Sequence, residues 1–171
     1  MQIKEKHNVI IEKHPLYKSL NQKLNQDFLD ADFLENTVSV SGKHSAYNTS
    51  SETIDKIFSW VITLIKQQGV EYISYCEHYY KQSWFVEYGM GDVSHPHVHI
   101  PRTFSFVYFV KCPKGSSPLV FTTTGKKVKA EEGKVVIFPA NLYHHVPPNR
   151  CKERLALAGN IDCVEKYRAT P

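Results

Sequence analysis

The chain has 171 residues, of which 42% are hydrophobic and 22% are charged, a composition typical of one soluble globular domain. Its formal charge of +4 arises from 21 basic and 17 acidic residues that are scattered along the chain, so nucleic-acid binding is not indicated. A chain of this length buries about two-thirds of its unfolded surface, so a core can form without disulfides.

The cysteines and the apolar runs bear on the compartment. Cys76, Cys112, Cys151 and Cys163 show no C-x-x-C spacing, which argues against a zinc ribbon or a thioredoxin-type redox motif. The amino-terminal segment has no apolar run typical of a signal peptide, and no stretch approaches the ~20 apolar residues of a membrane span. We therefore expect a cytoplasmic protein with reduced thiols and no membrane partner.

Two helices are predicted in the first part of the chain. Pro15 is a good first residue for a helix over about 15–30, because apolar residues recur there every four positions. These residues are Leu16, Leu20, Leu24 and Phe28. A second helix follows a polar loop, with Thr49 and Glu52 as a candidate capping box, and ends near Gly69. Its apolar face comprises Ile54, Ile57, Phe58, Val61, Ile62 and Ile65.

From Val70 onward, β-branched and aromatic residues dominate in short runs that glycine, proline and lysine-glycine turns separate. The candidate strands are 70–78, 82–88, 97–99, 103–110, 118–123, 134–139, 142–146 and 154–161. This number of short strands suits a mainly β fold, the double-stranded β-helix or jelly roll that cupins also have. We predict a single domain over 1–171, in which a helical cover (1–69) packs on a β core (70–171).

The histidines carry the strongest chemical signal. His97 and His99 are two apart in SHPHVHI, so an extended strand projects both imidazoles from one face. A third imidazole from a distant strand, His144, would complete a metal site, since neutral imidazole is the commonest metal ligand. His95 precedes a proline in a loop, and His145 should point away from His144. We expect neither of these two to be a ligand.

Three segments of the chain belong together in one longer pattern. They are PHVHIPRTFSFVYFVKCP (96–113), EEGKVVIFPANLYHHVPPN (131–149) and ERLALAGN (153–160). Together they resemble a family of small 2-oxoglutarate- and Fe(II)-dependent oxygenases. The pattern of that family runs H-x-H, a serine before an aromatic strand, a glycine, F-P-x-x-L-x-H-x-V-x-P-N, then an arginine and a terminal asparagine. Its elements fall in the same order here, and the similarity is looser over the predicted helices.

The resemblance implies an iron centre. It makes His97 and His144 the iron-binding histidines and puts His99 where most such oxygenases have aspartate or glutamate. Two histidines and one carboxylate are the usual set, so a carboxylate such as Asp92 or Glu87 remains an alternative third ligand.

The resemblance also implies a site for 2-oxoglutarate. Arg154 matches the residue that binds the distal carboxylate of this cosubstrate, and a guanidinium grips a carboxylate with two parallel hydrogen bonds. Trp84 and Tyr88 precede the metal motif as the aromatic strand of the family does, although core packing explains both equally well. The remaining pattern positions, which are expected to line the cofactor pocket, are Ser105, Tyr108 and Asn160.

The implied activity is that of a dioxygenase that uses Fe(II), 2-oxoglutarate and molecular oxygen to hydroxylate a small-molecule or peptidyl substrate. One alternative is a three-histidine cupin metalloenzyme, because Gly91 and the H-x-H segment fit the opening of the first cupin motif. The glutamate expected after the second histidine of that motif is missing, because Thr103 and Phe104 stand there, and a cupin has no use for Arg154. A second alternative is a non-enzymatic jelly-roll binding module with a structural metal or none.

Overall fold

The structure, a computed structural model, describes residues 8–35, 37, 39–68 and 78–164. Within these ranges it has ten strands and two α-helices. In chain order they are β1 (Ile10–Lys13), α1 (Tyr17–Leu29), β2 (Lys43–His44), α2 (Glu52–Gln67), β3 (His78–Tyr88), β4 (Ser94–His97), β5 (Phe104–Lys111), β6 (Leu119–Phe121), β7 (Lys126–Val128), β8 (Lys134–Pro139), β9 (His144–Val146) and β10 (Arg154–Val164).

The strands form two antiparallel sheets. A six-stranded sheet has the order β1-β8-β5-β10-β3-β2, and a four-stranded sheet has the order β4-β9-β6-β7. The long central strands β3 and β10 pair along their whole length, from Arg154 opposite Tyr88 to Val164 opposite His78. The two sheets and the two helices confirm the predicted fold class, a mainly β jelly roll with amino-terminal helices packed on it.

The two faces of the six-stranded sheet are buried against different partners. On the outer face, α1 and α2 pack against alternate residues of the central strands, among them Phe106, Tyr108 and Leu157. On the inner face, the intervening residues, such as Trp84 and Phe109, pack with side chains of β6 and β9. Because side chains alternate along a strand, this arrangement decides which residues face the space between the sheets.

The start of α2 differs from the predicted capping box. Its N-cap is Ser51, whose hydroxyl oxygen accepts a hydrogen bond of 3.1 Å from the Ile54 amide. The hydroxyl of Thr49 instead donates to the Ala46 carbonyl, at 2.7 Å, and stabilises the preceding turn. The predicted position of the N-cap was therefore wrong by two residues. The Ser51 hydroxyl still gives a free amide of the first helical turn a hydrogen-bond acceptor, as the capping box would have done. Gly69, the expected end of the helix, lies outside the described residues.

Three short strands were not expected. β1 lies in the predicted helical cover but joins the six-stranded sheet beside β8, while β2 and β7 add to the sheet edges. Of the predicted strand 70–78, only the last position belongs to the described residues. Cys76 lies outside them. None of the helices in the described ranges is both long and apolar enough to cross a membrane.

Candidate metal and cosubstrate site

Two neighbouring strands of the smaller sheet bring three histidines together. His97 ends β4 and lies opposite His144, the first residue of β9. His99 follows two residues beyond the end of β4, where its amide donates a 2.8 Å hydrogen bond to the Ala140 carbonyl. One ring nitrogen of each histidine lies within 4.8 Å of the others, so the three predicted metal ligands converge on one point.

Backbone carbonyls set the orientation of two of these rings. Nδ1 of His97 lies 2.7 Å from the carbonyl oxygen of His95, and Nδ1 of His144 lies 2.8 Å from that of Leu142. A carbonyl oxygen only accepts, so Nδ1 carries the proton and the Nε2 lone pair of each ring is left for a metal. Nδ1 of His145 lies 2.8 Å from the Thr122 hydroxyl instead, and His145 is not part of the cluster.

Burial keeps the cluster uncharged. Removal from water, together with the smaller effect of the neighbouring His97, lowers the pKa of His144 to about 3. The same two causes, burial first, lower the pKa of His99 to about 4. Burial also lowers the pKa of His97. All three imidazoles are therefore neutral at neutral pH, which is the form that binds a metal ion.

Neither candidate carboxylate belongs to the cluster. Asp92 caps a turn, where its oxygens accept from the Gly89 amide at 2.7 Å and from the Ser41 hydroxyl at 3.2 Å. Glu87 lies between two inward-facing residues of β3, so the strand alternation turns it to the other face. Among the described residues, the group that could hold a metal consists of three histidines and includes no carboxylate.

Arg154, the first residue of β10, lines the cavity between the two sheets that the three histidines also line. Its side chain is almost wholly enclosed, at 1% exposure, and its Nε donates a 2.9 Å hydrogen bond to the Ser117 carbonyl. Both terminal nitrogens lack a hydrogen-bond partner among the described residues. The guanidinium lies over the rings of Tyr88 and Phe109, at 4.7 and 5.3 Å. A buried charge with two unused donor groups is costly, so this site suits an anionic ligand.

Apart from Arg154, Tyr88, Ser94 and the three histidines, the described lining of the cavity between the sheets is apolar. Arg154 is the one charged side chain among the described residues that line it, since the three histidines are neutral. The apolar lining includes Trp84, Val86, Leu119, Phe138, Val146 and Ala156. Hydrocarbon walls of this kind exclude water and strengthen the interaction of a fixed charge with a bound anion.

The other predicted pocket residues are distributed over both faces of the sheet. Ser105 and Asn160 face each other across β5 and β10, and the serine hydroxyl donates to the asparagine Oδ1 at 2.8 Å. Asn160 Nδ2 in turn donates to Gln82 Oε1 at 3.0 Å. Tyr108 lies on the outer face, where its hydroxyl donates to Asn21 Oδ1 of α1 at 2.8 Å. The structure therefore does not bring Tyr108 to the histidines or to Arg154.

Asn149 has a role that the sequence did not indicate. It is the asparagine of the F-P-x-x-L-x-H-x-V-x-P-N segment, and its side chain is 1% exposed. Its Nδ2 donates to the carbonyls of Tyr88 and Cys151, both at 2.9 Å, and its Oδ1 accepts from the Ser117 amide at 3.0 Å. Since the Ser117 carbonyl accepts from Arg154, Asn149 holds the segment that positions the guanidinium.

Comparisons with known proteins bear on the fold. A scan against protein-family models finds no match, and a search of curated proteins finds none. Among solved structures, the viral collagen prolyl hydroxylase of Paramecium Bursaria Chlorella virus-1, in its 2OG complex, matches with a TM-score of 0.71 at 15% identity, covering 91% of this chain and 96% of that one. A Pseudomonas putida prolyl-4-hydroxylase matches with a TM-score of 0.70 at 19% identity, over 93% of this chain and 94% of that one.

A third similar structure is a prolyl hydroxylase from Trichoplax adhaerens in complex with a peptide fragment of the hypoxia-inducible factor oxygen degradation domain. It has a TM-score of 0.68 at 14% identity, and the match covers 90% of this chain and 83% of that one. At sequence identities this low, the structural matches establish a common fold and nothing more. The chain therefore has the jelly-roll fold of 2-oxoglutarate- and Fe(II)-dependent oxygenases, with a three-histidine cluster between its sheets.

Proposed function

We propose that the protein is an Fe(II)- and 2-oxoglutarate-dependent dioxygenase that hydroxylates a C–H bond of its substrate. The observation that carries this proposal is the pair of unused donors on the buried Arg154 guanidinium, in the cavity that the three histidines also line. A dicarboxylate with a keto acid at one end satisfies both halves of this arrangement. The resemblance in sequence and the shared fold support the same assignment.

The residues present fit a divalent metal. His97, His99 and His144 would hold Fe(II) through three neutral imidazoles, and a set of three protein ligands leaves coordination positions open. When bound, iron together with 2-oxoglutarate supplies the activation of oxygen that protein side chains cannot perform. Because no ligand in the described cluster is a carboxylate, the centre would carry one more positive charge than the usual set gives. This extra charge favours an anionic cosubstrate.

The residues present also fit 2-oxoglutarate. Arg154 would bind the distal carboxylate through its two free terminal nitrogens, while Nε remains on Ser117. The rings of Tyr88 and Phe109 pack against the guanidinium and limit its motion, so little orientational freedom is lost on binding. The apolar walls exclude water from the region where the C–H bond is attacked.

A residue within a peptide is our proposed substrate class. Several similar structures are prolyl hydroxylases, and one of them contains a peptide fragment. A proline in a peptide chain is therefore the first substrate to test, ahead of a small molecule.

An anaerobic titration with Fe(II), with and without 2-oxoglutarate, tests the proposal. The chelate of iron and keto acid gives a weak visible charge-transfer band, which we expect in the native protein and in His145→Ala. The band should be lost in His144→Ala, which removes a metal ligand, and should require far more 2-oxoglutarate in Arg154→Ala. Protein that binds no iron at all would contradict every metalloenzyme assignment and leave the non-enzymatic binding module.

A three-histidine cupin metalloenzyme is the second candidate, because the described metal cluster contains three histidines and no carboxylate. Such an enzyme would bind its organic substrate directly on the metal and would leave Arg154 without a function. Stoichiometric iron binding without a charge-transfer band would favour this candidate over the 2-oxoglutarate-dependent one.

A further inference from the structure

The third histidine of the candidate metal site is held differently from the other two. His97 and His144 are paired strand residues, and a backbone carbonyl accepts a hydrogen bond from the ring of each. His99 lies beyond the end of β4, in the irregular segment 98–103. Within the part of the chain that the structure describes, its ring has no such bond to a carbonyl. The position of this ring therefore depends on the backbone of the segment.

Hydrogen bonds rather than packing hold this segment. Ile100, the residue after His99, is 68% exposed, so it contributes little apolar contact. The His99 amide donates to the Ala140 carbonyl at 2.8 Å, and the His99 carbonyl accepts from the Arg102 amide at 2.9 Å. The second bond closes a tight turn, which couples the position of His99 to that of Arg102.

Asp162 of β10 anchors the far end of this turn. Its Oδ1 accepts from the Thr103 amide at 2.8 Å and from the Thr103 hydroxyl at 3.3 Å, and its Oδ2 accepts from Arg102 Nη1 at 2.8 Å. The guanidinium also lies 4.5 Å from the ring of Tyr80, the residue opposite Asp162 on β3. Both members of the ion pair are mostly buried, at 29% and 22% exposure, so solvent screens it less than a surface pair.

We infer that Asp162 is a positioning residue for the third metal ligand. It belongs to the six-stranded sheet, so its bonds tie the segment that carries His99 to the sheet opposite His97 and His144. A carboxylate thus serves the metal site without being a ligand. Groups that orient metal ligands affect metal affinity strongly, because a misplaced ligand gives up part of its bond. The inference rests on the proposed function, but only on its metal site.

Titration of the metal-free protein with Co(II) measures this effect without any turnover. Co(II) binds imidazole ligands as Fe(II) does, and its visible absorption depends on the number and arrangement of the ligands. The Asp162→Ala variant should bind Co(II) about 10- to 100-fold more weakly than the parent protein. Its Co(II) spectrum should shift towards that of His99→Ala, in which two of the three imidazoles remain.

A double-mutant cycle shows whether Asp162 acts through His99. If the carboxylate places this ligand, it has nothing left to place once the imidazole is removed. In the His99→Ala background, Asp162→Ala should therefore change the Kd for Co(II) by less than about twofold. A carboxylate that only stabilised the fold would weaken Co(II) binding by the same factor in both backgrounds.

Three further variants complete the experiment. Asp162→Asn keeps an acceptor for the Thr103 amide and loses the ion pair with Arg102, so its Kd for Co(II) should stay within about fivefold of the parent value. Asp55→Ala, the matched control, breaks a 2.7 Å ion pair between α2 and Lys81 and should bind Co(II) like the parent. Asp162→Val has a side chain that suits a strand and takes the place of Asp162→Ala if urea denaturation shows that the alanine variant is unfolded.

The possible outcomes separate this inference from the proposed function. Unchanged Co(II) affinity in folded Asp162→Ala or Asp162→Val overturns the inference and leaves the proposed function standing. An equal loss of affinity with and without His99 also overturns it, because Asp162 would then act on the fold as a whole. A parent protein that binds no Co(II) contradicts the metal site and with it the proposed function itself.

Discussion

Replacing Arg154 by methionine separates a role in ligand binding from a role in folding. The guanidinium is fully buried, makes one hydrogen bond through Nε and has two terminal nitrogens without partners among the described residues. Methionine fills a similar volume without a charge. If Arg154 serves a ligand, the variant should fold as well as the native protein and should lose affinity for 2-oxoglutarate.

The structure sets the size of both effects. Loss of the bond to Ser117 costs about 1 kcal/mol, while removal of an incompletely paired buried charge returns a similar or larger amount. The free energy of unfolding of the ligand-free protein should therefore stay the same or rise, and should not fall by more than about 1 kcal/mol. Two charge-assisted hydrogen bonds to a carboxylate contribute at least about 3 kcal/mol together. The Kd for 2-oxoglutarate should rise on the order of 100-fold.

Urea denaturation of the metal-free protein and calorimetric titration of the iron-loaded protein with 2-oxoglutarate measure the two quantities. Arg150→Met is the matched control, because that arginine is exposed and lies four positions away, and it should bind the cosubstrate normally. A marked loss of stability in Arg154→Met with unchanged affinity for 2-oxoglutarate would refute the reasoning, since Arg154 would then be a structural residue.

Three further predictions concern the histidines and Asn149. His144→Ala should abolish stoichiometric iron binding, measured by metal analysis after desalting, whereas His145→Ala should retain it because that ring points elsewhere. Burial lowers the pKa of His144 to about 3 and that of His99 to about 4, from an ordinary value of 6.5, so below pH 6.5 the unfolded chain binds more protons than the folded one. Urea midpoints of the metal-free protein should therefore fall as the pH decreases from 6.5 towards 4, and a flat profile would contradict the burial of these rings. Asn149→Ala removes bonds to Tyr88, Cys151 and Ser117 and should lower the free energy of unfolding by about 2–4 kcal/mol, with weaker 2-oxoglutarate binding in whatever protein still folds. Asn141→Ala, at an exposed asparagine, is its control and should change stability by no more than about 0.5 kcal/mol.

Much of the fold could be predicted from the sequence because its strands and helices have strong local patterns. The strand predicted over 134–139 coincides with β8, and the helix predicted over 15–30 contains α1. The short strands β1, β2 and β7 have only two to four residues each, too few for any periodic pattern to emerge. They form because an existing sheet edge pairs with them, which is a tertiary effect.

The candidate site shows where a sequence pattern alone does not determine the position of a side chain. His97, His99 and His144 converge as the H-x-H spacing suggests, although β4 ends at His97 and a backbone bond to Ala140 holds His99 in place. Ser105 and Tyr108 both match the family pattern, but residues three apart on a strand face opposite sides. This alternation alone could have shown that the two do not share one pocket. The chain of bonds from Asn149 through Ser117 to Arg154 runs through backbone groups, which the sequence does not specify.

The two halves of the candidate site belong to different sheets. His97 and His144 lie on β4 and β9 of the four-stranded sheet, whereas Arg154 begins β10 of the six-stranded one. A dicarboxylate bound to the metal and to Arg154 would therefore connect the sheets across an apolar cavity. Because the three imidazoles are neutral, they would not offset the charge of a bound metal ion, and Arg154 has two unused donors at the other end of the cavity. One small dianion would meet both demands, and this complementarity is the reason that we propose 2-oxoglutarate rather than a ligand that only coordinates the metal.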